Sequence, residues 1–120
     1  MPFRGILQGL VEKVEGGQGA VIMGYDGIPI DEYFKEDLSL DVQLLSVEYA
    51  TLLKEIKRTV EVLKTGEIEE ISIMTGLARV LVRPINPEFF VVFVLDKDGN
   101  FGKGRYLLKR DAPKLREGLQ

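Results

Sequence analysis

The side chains that most often carry acid–base, thiol or transition-metal chemistry are missing from this sequence, whose 120 residues include no histidine and no cysteine. That removes the commonest general base, the thiol nucleophile, disulfides and the usual nitrogen and sulfur metal ligands. Glycine-rich spots and carboxylates remain to be tested. Gly16-Gly17-Gln18-Gly19 precedes a strand pattern rather than a helix, so its amides would not sit at a helix N-terminus to cradle phosphate. Gly102-Lys103-Gly104 lacks both the glycine spacing and the following Ser/Thr of a P-loop. Both read better as turns. Asp96-Lys97-Asp98-Gly99-Asn100 resembles the start of a calcium loop, but its glycine stands two positions early and Leu107 occupies the place of the bidentate glutamate. Glu67, Glu69 and Glu70 could hold a hard cation, yet read better as a solvated strand start. No carboxylate pair falls in an identifiable cleft. The sequence therefore points away from an enzyme and names no catalytic, cofactor or metal residue.

Composition narrows the class further. A net charge of −3 and a pI near 5.1 argue against an electrostatic footprint for nucleic acid or anionic membrane, while leaving room for a local basic patch. The longest apolar run, Phe89 to Leu95, is far too short to span a bilayer. Met1-Pro2-Phe3-Arg4-Gly5 lacks the basic-then-apolar pattern of a signal peptide. The expectation is one cytoplasmic domain over 1–120, with no nucleic acid and no membrane insertion.

The elements follow from periodicity. Phe3, Leu7, Leu10 and Val14 repeat at helical spacing, and Gly16-Gly17 ends that helix. Ala20 to Tyr25 is apolar without alternation, as in a strand covered on both faces. Asp26-Gly27 reads as a two-residue hairpin turn. The returning strand, Ile28 to Phe34, contains Pro29 and so belongs at a sheet edge. A helix of about seven turns runs from 39 to 64, with Ser39 as N-cap and Lys64 before Gly66. Three strands follow at Ile68–Met74, Leu77–Arg83 and Phe89–Leu95. A last helix starts near Gly102, and Pro113 must kink or restart it. The order α-β-β-α-β-β-β-α predicts an α/β (α+β) fold: a five-stranded, mainly antiparallel sheet with helices on both faces.

The long helix carries the most information. On a wheel of about 100° per residue, Leu38, Val42, Leu45, Tyr49, Leu52, Leu53, Ile56, Val60 and Leu63 form an uncharged core sector. Roughly opposite lie Leu40, Leu44, Val47 and Val62, with Thr51 and Arg58. A helix on a sheet should be polar on its outer side, and each aliphatic left exposed forfeits about 1.5–3 kcal/mol of burial. A loop or the terminal helix of the same chain would cover this stripe, or the residues are isolated surface apolars. Otherwise the partner is another helix, most simply the same helix of a second copy. The strand 68–74 agrees with the latter. It lacks proline, offers an open ladder through Ile71 and Ile73, and would form one continuous sheet by self-pairing. The predicted homodimer interface is thus Leu40, Leu44, Val47, Thr51, Arg58, Val62, Ile71 and Ile73.

Three segments in order resemble the Roadblock/dynein light-chain family, in particular its single-domain bacterial MglB-like members of profilin-like fold. They are the hairpin from Gly19 through Asp26-Gly27 to Ile30, the long amphipathic helix, and the closing helix start Gly102-Lys103-Gly104-Arg105-Tyr106-Leu107-Leu108. The resemblance implies a five-stranded antiparallel sheet with one helix on one face and two on the other. It also implies dimerisation through the long helix and third strand. In several members the paired helices form a platform for a Ras-like small GTPase, and MglB-type dimers speed GTP hydrolysis by rearranging the GTPase's own residues. If this chain binds a GTPase, the helix flank Lys54, Lys57, Arg58 and Glu61 is the place expected to touch it. The chain ends at Gln120, without the C-terminal extension of some MglB proteins, which leaves the strength of any activation open. The competing readings are a pure adaptor dimer like the dynein light chains, and a small sensory domain holding a ligand on its sheet. Central strands packed on both faces speak against the sensory domain.

Overall fold

Three helices and five strands follow in the order α-β-β-α-β-β-β-α in the computed structural model, which describes residues 3–36 and 41–120. They are α1 (Phe3–Lys13), β1 (Gly17–Gly24), β2 (Pro29–Phe34), α2 (Val42–Leu63), β3 (Ile71–Met74), β4 (Ala78–Pro84), β5 (Phe89–Asp96) and α3 (Phe101–Gly118). The strands form one antiparallel sheet in the order β2-β1-β5-β4-β3. The apolar runs of β1 and β5 thus lie inside the sheet, where both faces of a strand need cover. Ala20, Ile22, Leu81, Val91, Phe93 and Leu95 pack with α1 and α3 on one side. Val21, Met23, Val80, Val82, Phe90, Val92 and Val94 pack with α2 on the other. Pro29 lies on the β2 edge, where its missing N–H costs no ladder bond.

The glycine-rich spots turn out to be packing devices. A Cβ on Gly16, whose φ is +81°, would collide with the Gly99 backbone. The two turns are laced together there: Asn100 N–H donates to the Glu15 carbonyl (2.8 Å) and Asp96 N–H to that of Gly16 (2.8 Å). Gly102-Lys103-Gly104 is helical rather than a turn, and buried Gly104 lets α3 approach Phe93 closely. The Asp96–Asn100 segment is the turn that starts α3, with the Asn100 side chain accepting from Lys103 N–H.

Several boundaries differ from those expected. The N-cap position expected at Ser39 lies outside the described residues. The observed N-cap is Asp41, which accepts from Leu44 N–H at 3.1 Å, and α2 begins at Val42. Its last turn is closed by Lys64 itself in the left-handed conformation (φ 57°). The Asp26-Gly27 turn is a four-residue loop, because Asp26 Oδ1 captures the Ile28 N–H and Gly24 N–H pairs with the Ile28 carbonyl. Strand β3 covers only Ile71–Met74, not 68–74; Glu70 turns to the α3 side and meets Arg105 at 2.8 Å. Pro113 neither ends nor restarts α3, which runs on with buried Leu115 holding its last turn to the core.

The contact line of α2 also departs from the wheel. Its buried residues are Ser46, Ala50 and Leu53, and Leu45, Tyr49, Ile56 and Val60 are half-buried beside them. Leu52 (39% exposed) and Leu63 (65%) lie off the core sector. The reason is close approach. The Gly27 loop sits under Val47 and Ala50, so small side chains occupy the middle of the contact. The large ones are pushed to its margins.

Candidate interaction surface

The outer side of α2 is built from aliphatics that stay more than half exposed among the described residues. Leu44, Val47 and Val62 are 59%, 52% and 65% exposed. Thr51 is exposed among them, its hydroxyl donating to the Val47 carbonyl, and Leu40 lies outside the described residues. Helices α1 and α3 are on the far side of the sheet and do not cover this stripe, and the Gly27 loop reaches it only at the inner side of Val47. Leu52 and Leu63, which periodicity assigned to the core, add to the exposed apolar area on one flank. Strand β3 hydrogen-bonds only to β4 among the described residues, so its outer ladder is open. Ile71 and Ile73 are turned under α2 into the core cluster; they could join a strand–strand contact through their backbone and not through their side chains.

The other flank of α2 is charged, and the structure gathers all four residues singled out there. Lys54, Lys57, Arg58 and Glu61 line one open groove of about 560 Å³ with Tyr25, Asp26, Pro87, Glu88 and Phe89. The loop residues were missed because neither the β1–β2 loop nor the β4–β5 turn carries a sequence signal of which helix it will face. Lys57 is the fixed point. Its ammonium lies 4.9 Å from the Tyr25 ring centroid and donates to the Pro87 carbonyl at 3.4 Å. A cation over a ring is worth about 0.5–1 kcal/mol at such an exposed site. Tyr25 in turn packs on Phe90 at 5.0 Å, and burial raises its phenol pKa. Arg58 gives both Nε (3.1 Å) and Nη2 (2.7 Å) to one oxygen of Glu55. That pair lowers the carboxyl pKa of Glu55 and raises the guanidinium pKa of Arg58. Both partners are solvent-exposed, so the pair orients Arg58 more than it stabilises the fold.

Among the described residues, no three His, Cys, Asp or Glu side chains are grouped to hold a metal ion, and no helix is long and apolar enough to cross a membrane. The molecule offers surfaces instead: an uncovered helix stripe beside an open strand, and a charged groove on the same helix.

A five-stranded antiparallel sheet with two helices on one face and a long, outwardly apolar helix on the other is the build of a Roadblock-type regulatory or scaffold domain. The chain is 41% identical to MglC from Myxococcus xanthus, covering 98% of this chain and 99% of that one with a TM-score of 0.73. It therefore belongs to the bacterial Roadblock/LC7 family of MglB- and MglC-like proteins, whose members are regulators or adaptors rather than typical enzymes. A Roadblock/LC7 domain from Streptomyces avermitilis, 13% identical, shares the fold (TM-score 0.83; 95% of this chain and 94% of that one). So does MglB in a tetrameric arrangement, 16% identical (TM-score 0.84; 95% and 85%). No family profile and no curated protein sequence matches the chain.

Proposed function

We propose that the protein is a cytoplasmic homodimer, one domain per chain, whose paired α2 helices bind a Ras-like small GTPase and modulate its GTP hydrolysis without contributing a catalytic residue. One observation carries the dimer: the Leu44, Val47 and Val62 stripe stands uncovered on the protomer beside the open edge of β3. Two such helices packed across a two-fold axis bury the stripe, and the two β3 ladders satisfy each other. The tetrameric arrangement recorded for MglB supports self-association in this fold. The pairing leaves each charged flank, Lys54, Lys57 and Glu61, at the margin of the helix pair for a third protein.

A second reading is a pure adaptor dimer with no effect on hydrolysis, which rests on the same uncovered α2 stripe and open β3 edge. Incubating the protein with a GTP-loaded Ras-like GTPase from the same genome separates the two. Complex formation with faster phosphate release supports the regulator, and complex formation at the intrinsic rate supports the adaptor. No complex in either nucleotide state rejects the GTPase reading and leaves the pure adaptor dimer.

A further inference from the structure

The face opposite α2 has a charge that the net value hides. Together α1 and α3 carry eight basic and three acidic side chains, a balance of +5, within a chain of net −3. The remainder, with eight basic and sixteen acidic residues, stands at −8.

Between the two helices runs a groove of about 280 Å³. Ile6 and Leu10 of α1 and Leu107 of α3 line its apolar part; Lys13, Arg110 and Lys114 supply its cations. Buried Asp111 positions two of these. It accepts from Arg110 Nε at 3.0 Å and Nη2 at 3.3 Å, and lies 3.7 Å from Lys114 Nζ. The lining retains two positive charges in excess. Gly5 and Gly9 also line the groove, and a Cβ on either would meet nothing within 4 Å. Glycine inside a helix costs about 0.5–1 kcal/mol relative to alanine. Packing against α3 does not demand that cost here, and its effect is to leave the groove open.

We propose that this groove docks an acidic amphipathic segment of a partner protein, which sets an aliphatic side chain over Gly5 and Gly9 and carboxylates against Lys13, Arg110 and Lys114. The volume is at the small end of the range of about 300–1,000 Å³ usual for small-molecule sites. A bilayer or a nucleic-acid duplex meets the basic ridges but cannot enter a cleft between two helices. A slim segment uses both the apolar floor and the cations, as in helix-in-groove recognition. The site lies across the sheet from α2 and does not depend on the dimer or on a GTPase.

The test is fluorescence anisotropy with a labelled helical peptide about five turns long, leucines on one face and glutamates on its flanks. Its controls are the same composition scrambled to abolish the apolar face, phosphatidylserine vesicles and a DNA duplex. The amphipathic peptide should bind the full chain. Lys13→Glu with Lys114→Gln should weaken binding about tenfold or more, as should Gly9→Leu, which fills the groove without altering charge. Lys97→Gln, which removes an exposed lysine outside the groove, should leave binding unchanged. The proposal is overturned if the peptide fails to bind, if the scrambled peptide binds equally well, or if Gly9→Leu binds like the native protein. Tighter binding to vesicles or to the duplex overturns it in favour of those polyanions.

Discussion

Replacing Leu44 by alanine tests the dimer where it should be most sensitive. Full burial of a leucine side chain is worth about 1.5–3 kcal/mol. With 59% of the residue exposed on the protomer, a partner helix recovers about 0.9–1.8 kcal/mol of this per copy. A two-fold axis uses the residue twice, so the dimer stands to lose about 1.8–3.5 kcal/mol, or roughly 20- to 400-fold in dissociation constant. Leu44→Glu should go further, because two carboxylates would face each other in a dry contact. Neither change touches the protomer's own α2 contact, which runs through Ser46, Ala50 and Leu53. Sedimentation equilibrium over a range of concentrations reads the shift, and far-ultraviolet circular dichroism checks the fold. Native protein that is already monomeric at micromolar concentration would refute the reasoning, and so would an alanine variant with unchanged association.

Three further outcomes follow from particular contacts. A Cβ at Gly17 would run into the Val11 carbonyl, so Gly17→Ala should cost about 1–3 kcal/mol, read as a lower thermal midpoint; an unchanged midpoint would show that the turn after α1 can yield. Asp41→Ala removes the cap from Leu44 N–H and should cost about 1 kcal/mol in urea unfolding; no loss would mean that water caps this end equally well. Burial raises the phenol pKa of Tyr25 and of Tyr49 above the ordinary 10.0. Each therefore adds stability that is fully present below pH 10 and is lost as pH rises through the raised folded value. Unfolding free energies measured across that alkaline range should fall, and should fall less for Tyr25→Phe; an identical slope in the variant would remove Tyr25 from the account.

The fold was readable because its strongest signals are local. Unalternating runs at Ala20–Tyr25 and Phe89–Leu95 mark strands covered on two faces, and Pro29 marks an edge. The outer stripe of α2 was readable for the same reason, since surplus aliphatics on a helix need no tertiary information to be noticed. Leu52 and Leu63 were misplaced because a wheel weights side chains by size. The true contact line is set by how near the helix can come to the Gly27 loop, which selects Ser46 and Ala50. The charged groove was half visible: the helix supplied Lys54, Lys57, Arg58 and Glu61, while Tyr25, Pro87 and Glu88 arrive from turns distant in sequence. The basic face of α1 and α3 was hidden by an acidic total, because net charge averages over surfaces that the fold separates.

The small contact line of α2 has a consequence for how the molecule holds together. Of its 22 residues, Ser46, Ala50 and Leu53 are buried, against six of 18 in α3. A helix so lightly anchored should open locally at less cost than the sheet beneath it. Whatever covers its outer side then stabilises it by mass action. Amide exchange in α2 should therefore slow as protein concentration rises, while exchange in β1 and β5 stays constant. On dilution, the partner-facing helix would begin to fray before the core lost its order, so that assembly would complete the folding of the element that mediates it.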